Sequence, residues 1–195
     1  MLPLEVVFLL LVIIWAMIGA VRGFSREIGA TIAIVMAMSG LSLFGPLLAT
    51  AINKSFGNLG SFSIPLAESV PEGAKAFCYA ASPQQFIFYT IVFGVIVFMG
   101  YQGETLGLPT KVGKLSSGIL GMFAGIVNGW MVAGNLWYFL DKCANYNVPS
   151  LGIRSVGVLS ETAQTIIKIL PLNLIGEPAI LIALLMLLLL VRIAK

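Results

Sequence analysis

The apolar residues of this chain fall in five long blocks, at 4–21, 28–51, 83–101, 116–140 and 177–193, and that spacing constrains the fold more than any other feature. A helix rises about 1.5 Å per residue and a bilayer's hydrocarbon core is about 30 Å thick, so a spanning helix needs about 20 mostly apolar residues. The blocks 4–21, 28–51 and 116–140 reach that range, while 83–101 and 177–193 are shorter. The expectation is an all-α, polytopic helical membrane protein with about five transmembrane helices. No hydrophilic stretch is long enough for a second domain, so 1–195 reads as a single membrane domain. Composition agrees: 59% of residues are hydrophobic and 10% charged, against about 25% charged in soluble domains. A net charge of +3, dispersed along the chain, excludes a nucleic-acid footprint.

The basic residues are more useful for topology, because short cytoplasmic loops favour Lys and Arg. Arg22 and Arg26 sit in the turn 22–27, Lys111 and Lys114 in the short connection before the fourth block, and Arg192 and Lys195 in the tail. The two longer connections share Lys54, Lys75, Lys142, Arg154 and Lys168 at lower density. This pattern puts the N-terminus outside and the C-terminus in the cytoplasm. No basic segment precedes the first block and Arg22 follows it directly, so it reads as a retained span, not a cleaved leader. Cys78 and Cys143 both fall on the outer side of this topology. They read either as a disulfide or as two unlinked small apolar side chains.

Packing signals concentrate in the fourth block. Gly121, Gly125, Gly129 and Ala133 repeat every four residues, a small-xxx-small row that lets another helix approach closely or lets the chain associate with itself. Asn128 and Asn135 project beside that row, either as polar glue between helices or as the lining of a solute path. Gly45-Pro46 predicts a kink or an early exit in the second span. The segment 53–82 mixes polar and apolar residues and reads as a loop on the outer membrane surface, with Tyr79 and Tyr89 in the interfacial aromatic belt. Leu159, Ala163, Ile166, Ile167 and Leu170 share one helical face, which predicts an amphipathic interfacial helix over about 156–170. The last block is leucine-rich, and reads as lipid-facing or as a clamp on a neighbour.

The usual signs of chemistry are missing. With no histidine, the commonest general base, haem ligand and zinc ligand are absent, and two cysteines make no metal site. All eight acids fall at span ends or in connections, away from the mid-membrane depth of a proton relay. There is no nucleophile elbow and no phosphate-binding loop. The expectation is therefore no catalytic residues, no cofactor, no metal and no enzyme activity. Arg22, Arg26, Lys111 and Lys114 would gather at one leaflet surface, where they could hold anionic lipid headgroups.

The run Gly19-Ala-Val-Arg-Gly-Phe-Ser-Arg-Glu27 resembles the Gly-x-x-Arg-Gly-Phe-x-Arg-Glu corner of the colicin V production protein family. The run from Lys114 to Gly129 is similar to that family's glycine-rich last span, and the stretch closing at Leu170-Pro171 to its ending. The resemblance covers roughly the first 170 residues; the fifth block and the length of 53–82 depart from it. It implies a small multi-pass protein of the bacterial inner membrane linked to secretion or envelope function, and it brings no catalytic residues. The residues themselves favour a non-catalytic accessory subunit of a larger membrane complex. Respiratory or photosynthetic electron-transfer assemblies are the candidates, because such complexes commonly include small subunits without cofactors. Its expected partners are membrane lipids and other integral membrane subunits. A secretion or transport component, as the resemblance suggests, is the alternative.

Overall fold

One residue separates the first two helices. In the computed structural model, which describes residues 3–56, 82–102, 114–151 and 159–193, α1 (Leu4–Arg22) ends at Gly23 and α2 (Phe24–Phe56) begins at once. Gly23 has φ of 82°, a left-handed conformation that costs a residue with a Cβ. Its N–H closes α1 on the Gly19 carbonyl, and its own carbonyl accepts from the Glu27 N–H. The corner is therefore tighter than the six-residue turn read from the sequence, and Glu27 lies within the first turn of α2.

The remaining helices are α3 (Pro83–Gln102), α4 (Lys114–Lys142), α5 (Glu161–Lys168), α6 (Pro171–Ile175) and α7 (Pro178–Ile193). A 3-10 turn, Pro149–Leu151, follows α4, and no strand occurs among the described residues. The chain is an all-α polytopic helical protein. Four helices are long and apolar enough to cross a membrane, or five if the α5–α6 segment and α7, bent by 70° at their junction, count as one span. With 16 residues, α7 alone is about 24 Å long at 1.5 Å per residue. The fifth block thus reaches spanning length only together with the segment before it.

The central element is α2. In the most apolar 18-residue stretch of 24–45, 67% of residues are buried, against 11% in that of α1. Its neighbours are α3, α4 and α7, and a helix apolar on all sides suits that place. Helical structure continues through Gly45-Pro46 to Phe56, so the expected early exit does not occur. Gly45 instead makes room for the Tyr89 ring: a Cβ there would lie 3.0 Å from it. Tyr89 is accordingly buried, stacked on Phe139 with ring centroids 5.8 Å apart, and is not a belt residue facing lipid. Tyr79 lies outside the described residues.

The closest helix pair is α1 with α4. A Cβ at Gly121 would fall on the Gly19 carbonyl, and one at Gly125 on the Trp15 carbonyl; at Gly129 it would lie 2.7 Å from the Trp15 Cβ. Without side chains in the way, the two backbones meet in van der Waals contact, the main attraction available between helices in lipid. Ala133 continues the row, buried near Leu4 and Phe8. Because α1 occupies this row, it is not an open face for self-association.

At the end of the bundle opposite the corner, α5 lies against the start of α1. The Ser160 hydroxyl accepts from the Ala163 N–H at 3.1 Å and donates to Glu5 Oε1 at 2.9 Å, so one side chain both caps α5 and ties it to α1. Ala163 and Leu170 are buried, and Leu159, Ile166 and Ile167 pack on the core, which is the apolar face read from the sequence. Pro171 then sits on Gly134 of α4. Beyond α4, Asn145 and Tyr146 take positive φ of 46° and 56° and turn the chain back. The Tyr146 phenol, its pKa pushed up mainly by burial, accepts from Trp137 Nε1 at 3.0 Å.

Replacing Gly121 or Gly125 by Val should force α1 off α4 and cost about 1–3 kcal/mol. Gly40→Ala, whose Cβ would meet nothing within 4 Å, should be neutral or stabilising by up to about 1 kcal/mol. Thermal melts in one detergent, followed by helicity, check the contrast.

Candidate functional site: a buried ionic cluster at the helix corner

The short corner brings Glu27 into the space where α1, α2, α3 and α4 meet. Glu27 has 0% exposure and is the only acid or base fully buried among the described residues. Its Oε1 accepts from Arg22 Nη1 at 3.0 Å. Its Oε2 accepts from Asn128 Nδ2 at 2.8 Å and from the Tyr101 hydroxyl at 3.3 Å. The same Asn128 amide donates to the Glu27 carbonyl at 3.0 Å. The Thr31 hydroxyl lies 3.0 Å from that carbonyl and 2.8 Å from Asn128 Oδ1, and its single proton serves one of them.

Arg22 is held as firmly. Its Nη2 donates to the Tyr101 carbonyl at 2.7 Å, and its guanidinium lies 4.6 Å from the centroid of the Tyr101 ring. Trp15 meets the same ring edge-on, with centroids 6.4 Å apart. Ser117 of α4 accepts from the Phe24 N–H at 3.3 Å, which satisfies one of the free amides at the start of α2. Charge and hydrogen-bonding capacity are matched within the cluster, the condition under which a buried ion pair is tolerated.

The sequence-derived candidates separate accordingly. Arg22 is not an open headgroup site, because Glu27 and Tyr101 take up its guanidinium. Arg26, one position from Glu27 on α2, is exposed. Lys114 opens α4, and Lys111 lies outside the described residues. Asn128 belongs to the ionic cluster. Asn135, equally buried, donates to the Met131 carbonyl of its own helix at 2.6 Å, and its Oδ1 has no partner among the described residues. The two amides therefore do different work. Cys143 is buried and disulfide-bonded, so it is not an unlinked apolar side chain; Cys78 lies outside the described residues.

Glu27, Thr31 and Tyr101 escaped the sequence reading. Glu27 stands at a span end and groups there with the other acids, away from mid-membrane depth. The available signal was its place directly before a run of continuous apolar character, with Thr31 one turn on. No group of three or more potential metal ligands occurs among the described residues.

The fold and this corner define a small helical membrane protein organised around one buried ion pair. Comparison of the chain with protein-family models, curated proteins and solved structures finds no match.

Removing one partner of the pair leaves the other buried and uncompensated. Glu27→Leu or Arg22→Leu alone should each cost about 3–5 kcal/mol. The double variant should recover most of that loss, giving a coupling well above the roughly 0.5 kcal/mol scatter of independent sites. Asn128→Leu should cost about 1–3 kcal/mol by stripping Glu27 of a donor, whereas Asn135→Leu should be near neutral. Denaturant-induced unfolding in mixed micelles measures all five proteins.

Proposed function

We propose that the chain is a non-catalytic subunit of the bacterial inner membrane that packs against other integral membrane subunits of a larger assembly and holds lipids. A respiratory or photosynthetic electron-transfer complex is the candidate machine. The observation that carries this reading is the inward closure of the ionic corner: Glu27, Arg22 and Asn128 bond to one another and to Tyr101 and Thr31, leaving α1 to present Leu9, Leu10, Ile13, Ile14 and Met17 outward. A solute path needs polar groups free to exchange partners. These groups are engaged, and the outer surface of α1 offers only apolar packing.

In this reading the N-terminus lies outside and the C-terminus in the cytoplasm. Two independent features support that orientation. Basic residues are densest at the corner end, where short cytoplasmic loops attract them. The disulfide-bonded Cys143 lies beyond α4 at the opposite end, and disulfides persist in oxidising compartments.

The secretion-linked reading suggested by the colicin V production protein resemblance has one observation in its favour. Gly19, Arg22, Gly23 and Glu27, the residues of the resembling corner, all serve the same junction: Gly19 meets α4, Gly23 makes the turn, and Arg22 pairs with Glu27.

Mild extraction of the chain from its own membranes into native nanodiscs, followed by quantitative mass spectrometry of proteins and lipids, tests the proposal. The expected result is stoichiometric recovery of cofactor-bearing subunits. Recovery alone, or only as a homo-oligomer, rejects it and leaves transport assays on Asn128→Leu to test the second reading.

A further inference from the structure

A helix in lipid leaves the hydrocarbon where its polar residues begin, so the outer helices report the thickness of the layer they cross. On α1 the apolar run 6–21, 16 residues between Glu5 and Arg22, measures about 24 Å at 1.5 Å per residue. On α3 the run 86–101, between Gln85 and Gln102, has the same 16 residues. On α7 the run 178–191, between Glu177 and Arg192, has 14 residues, about 21 Å. A typical hydrocarbon core is about 30 Å thick. All three helices face outward, with Leu10, Met17, Val95, Phe98, Leu187 and Leu190 exposed. The longer helices do not set this depth: α2 is central, and α4 continues past both ends of α1, beyond Ser117 beside Gly23 and Leu140 beside Leu4.

A span shorter than its bilayer thins the bilayer, lets flanking charged side chains reach outward to water, or oligomerises. The structure closes the second route on α1. Arg22 turns inward, with Nη1 on Glu27 Oε1 at 3.0 Å and Nη2 on the Tyr101 carbonyl at 2.7 Å. At the other end Glu5 is bound to Ser160, and α5 beside it exposes Glu161, Gln164 and Lys168, which fixes the polar level there. Nor can α7 gain length from the segment before it. That segment is bent from α7 by 70° and held by Pro171 on Gly134. At that angle the five residues of α6 add only about 3 Å of depth. The glycine row that would serve oligomerisation is already covered by α1.

We infer that this protein thins the bilayer around itself, holding the hydrocarbon at α1, α3 and α7 to about 21–24 Å, and so gathers lipids with short acyl chains. Selection is by chain length, not by headgroup, and it separates this property from the headgroup contacts expected at the basic residues. It goes beyond the proposed function and needs no partner complex.

The full chain is reconstituted in phosphatidylcholine vesicles whose monounsaturated acyl chains run from about 14 to about 22 carbons, and the midpoint of thermal helix loss is recorded in each. The natural chain should melt highest at about 14–16 carbons and roughly 5 °C lower at the long end. Arg192→Leu extends the apolar run of α7 by three residues, to 194, or about 4.5 Å, and should move the optimum toward longer lipids. Lys168→Gln, exposed on α5, removes a charge without lengthening a span and should leave the optimum in place. In vesicles that mix the shortest and longest lipids, the shell extracted with the natural chain in nanodiscs should be enriched about twofold in the shorter one. That readout stands even where Arg192→Leu does not fold. A melting maximum at about 18 carbons or longer, an optimum unmoved in folded Arg192→Leu, or an extracted shell without enrichment would each overturn the inference. Clustering of the chain in thick bilayers, with melting independent of lipid length, would assign the mismatch to oligomerisation instead. The isolated chain is used throughout, so failure here is distinguishable from failure to recover partner subunits.

Discussion

A carboxylate without solvent exposure, placed among membrane helices, dictates what must surround it. An unpaired buried charge costs several kcal/mol, so Glu27 requires an opposite charge and enough donors to occupy its oxygens. They come from three other helices: Arg22 from the end of α1, Tyr101 from the end of α3 and Asn128 from within α4. One acid thus fixes where four helices stand relative to one another along the bundle axis. Apolar packing alone is tolerant of sliding, because lipid tails are as apolar as the side chains they would replace. A point polar demand is not.

The rest of the architecture follows from how α1 reaches that point. Gly23 reverses the chain in one residue, and the Gly19, Gly121, Gly125 and Gly129 surfaces let α1 lie directly on α4. Drawn onto α4, α1 stands away from α3 except where Trp15 and Arg22 meet Tyr101. An apolar cleft between α1 and α3, lined by Trp15, Phe93, Val97, Tyr101 and Leu136, is the geometric remainder of that choice. Tyr101 belongs to both features, with its hydroxyl on Glu27 and its ring at the head of the cleft.

Much of this was legible in the sequence, unevenly. Block lengths gave the helices, and the four-residue period of small residues in 116–140 marked the tightest contact, since both are one-dimensional patterns that geometry converts directly. The amphipathic face of α5 was equally readable from Leu159 to Leu170. What could not be read was convergence. Glu27 and Asn128 are 101 positions apart and Arg22 and Tyr101 79 apart, and no periodicity connects them. Tyr89 misled for the same reason: a tyrosine near a span end suits the interface by composition, and only the neighbouring Gly45 and Phe139 reveal that it turns inward. Of the two readings of Gly45-Pro46, a kink or an early exit, the exit does not occur, because a membrane helix can carry a proline that would end a soluble one.

The internal use of the glycine row bears on how the chain could meet another protein. Small residues are the usual means by which helices in lipid find each other, and here α1 occupies them. Association through Gly121, Gly125 and Gly129 would require a second chain to displace α1 and break the corner, since Arg22 and Gly23 sit at the end of that helix. A partner in the proposed assembly would instead meet large aliphatic side chains, such as Leu10, Ile13 and Met17 on α1. Such a surface carries no polar anchor, so specificity must come from shape alone. Close complementarity between large side chains on two membrane helices is easily spoiled by misalignment of either helix. The ionic corner sets the alignment of α1 on this side of the interface, which gives the buried salt bridge a structural reason to be there.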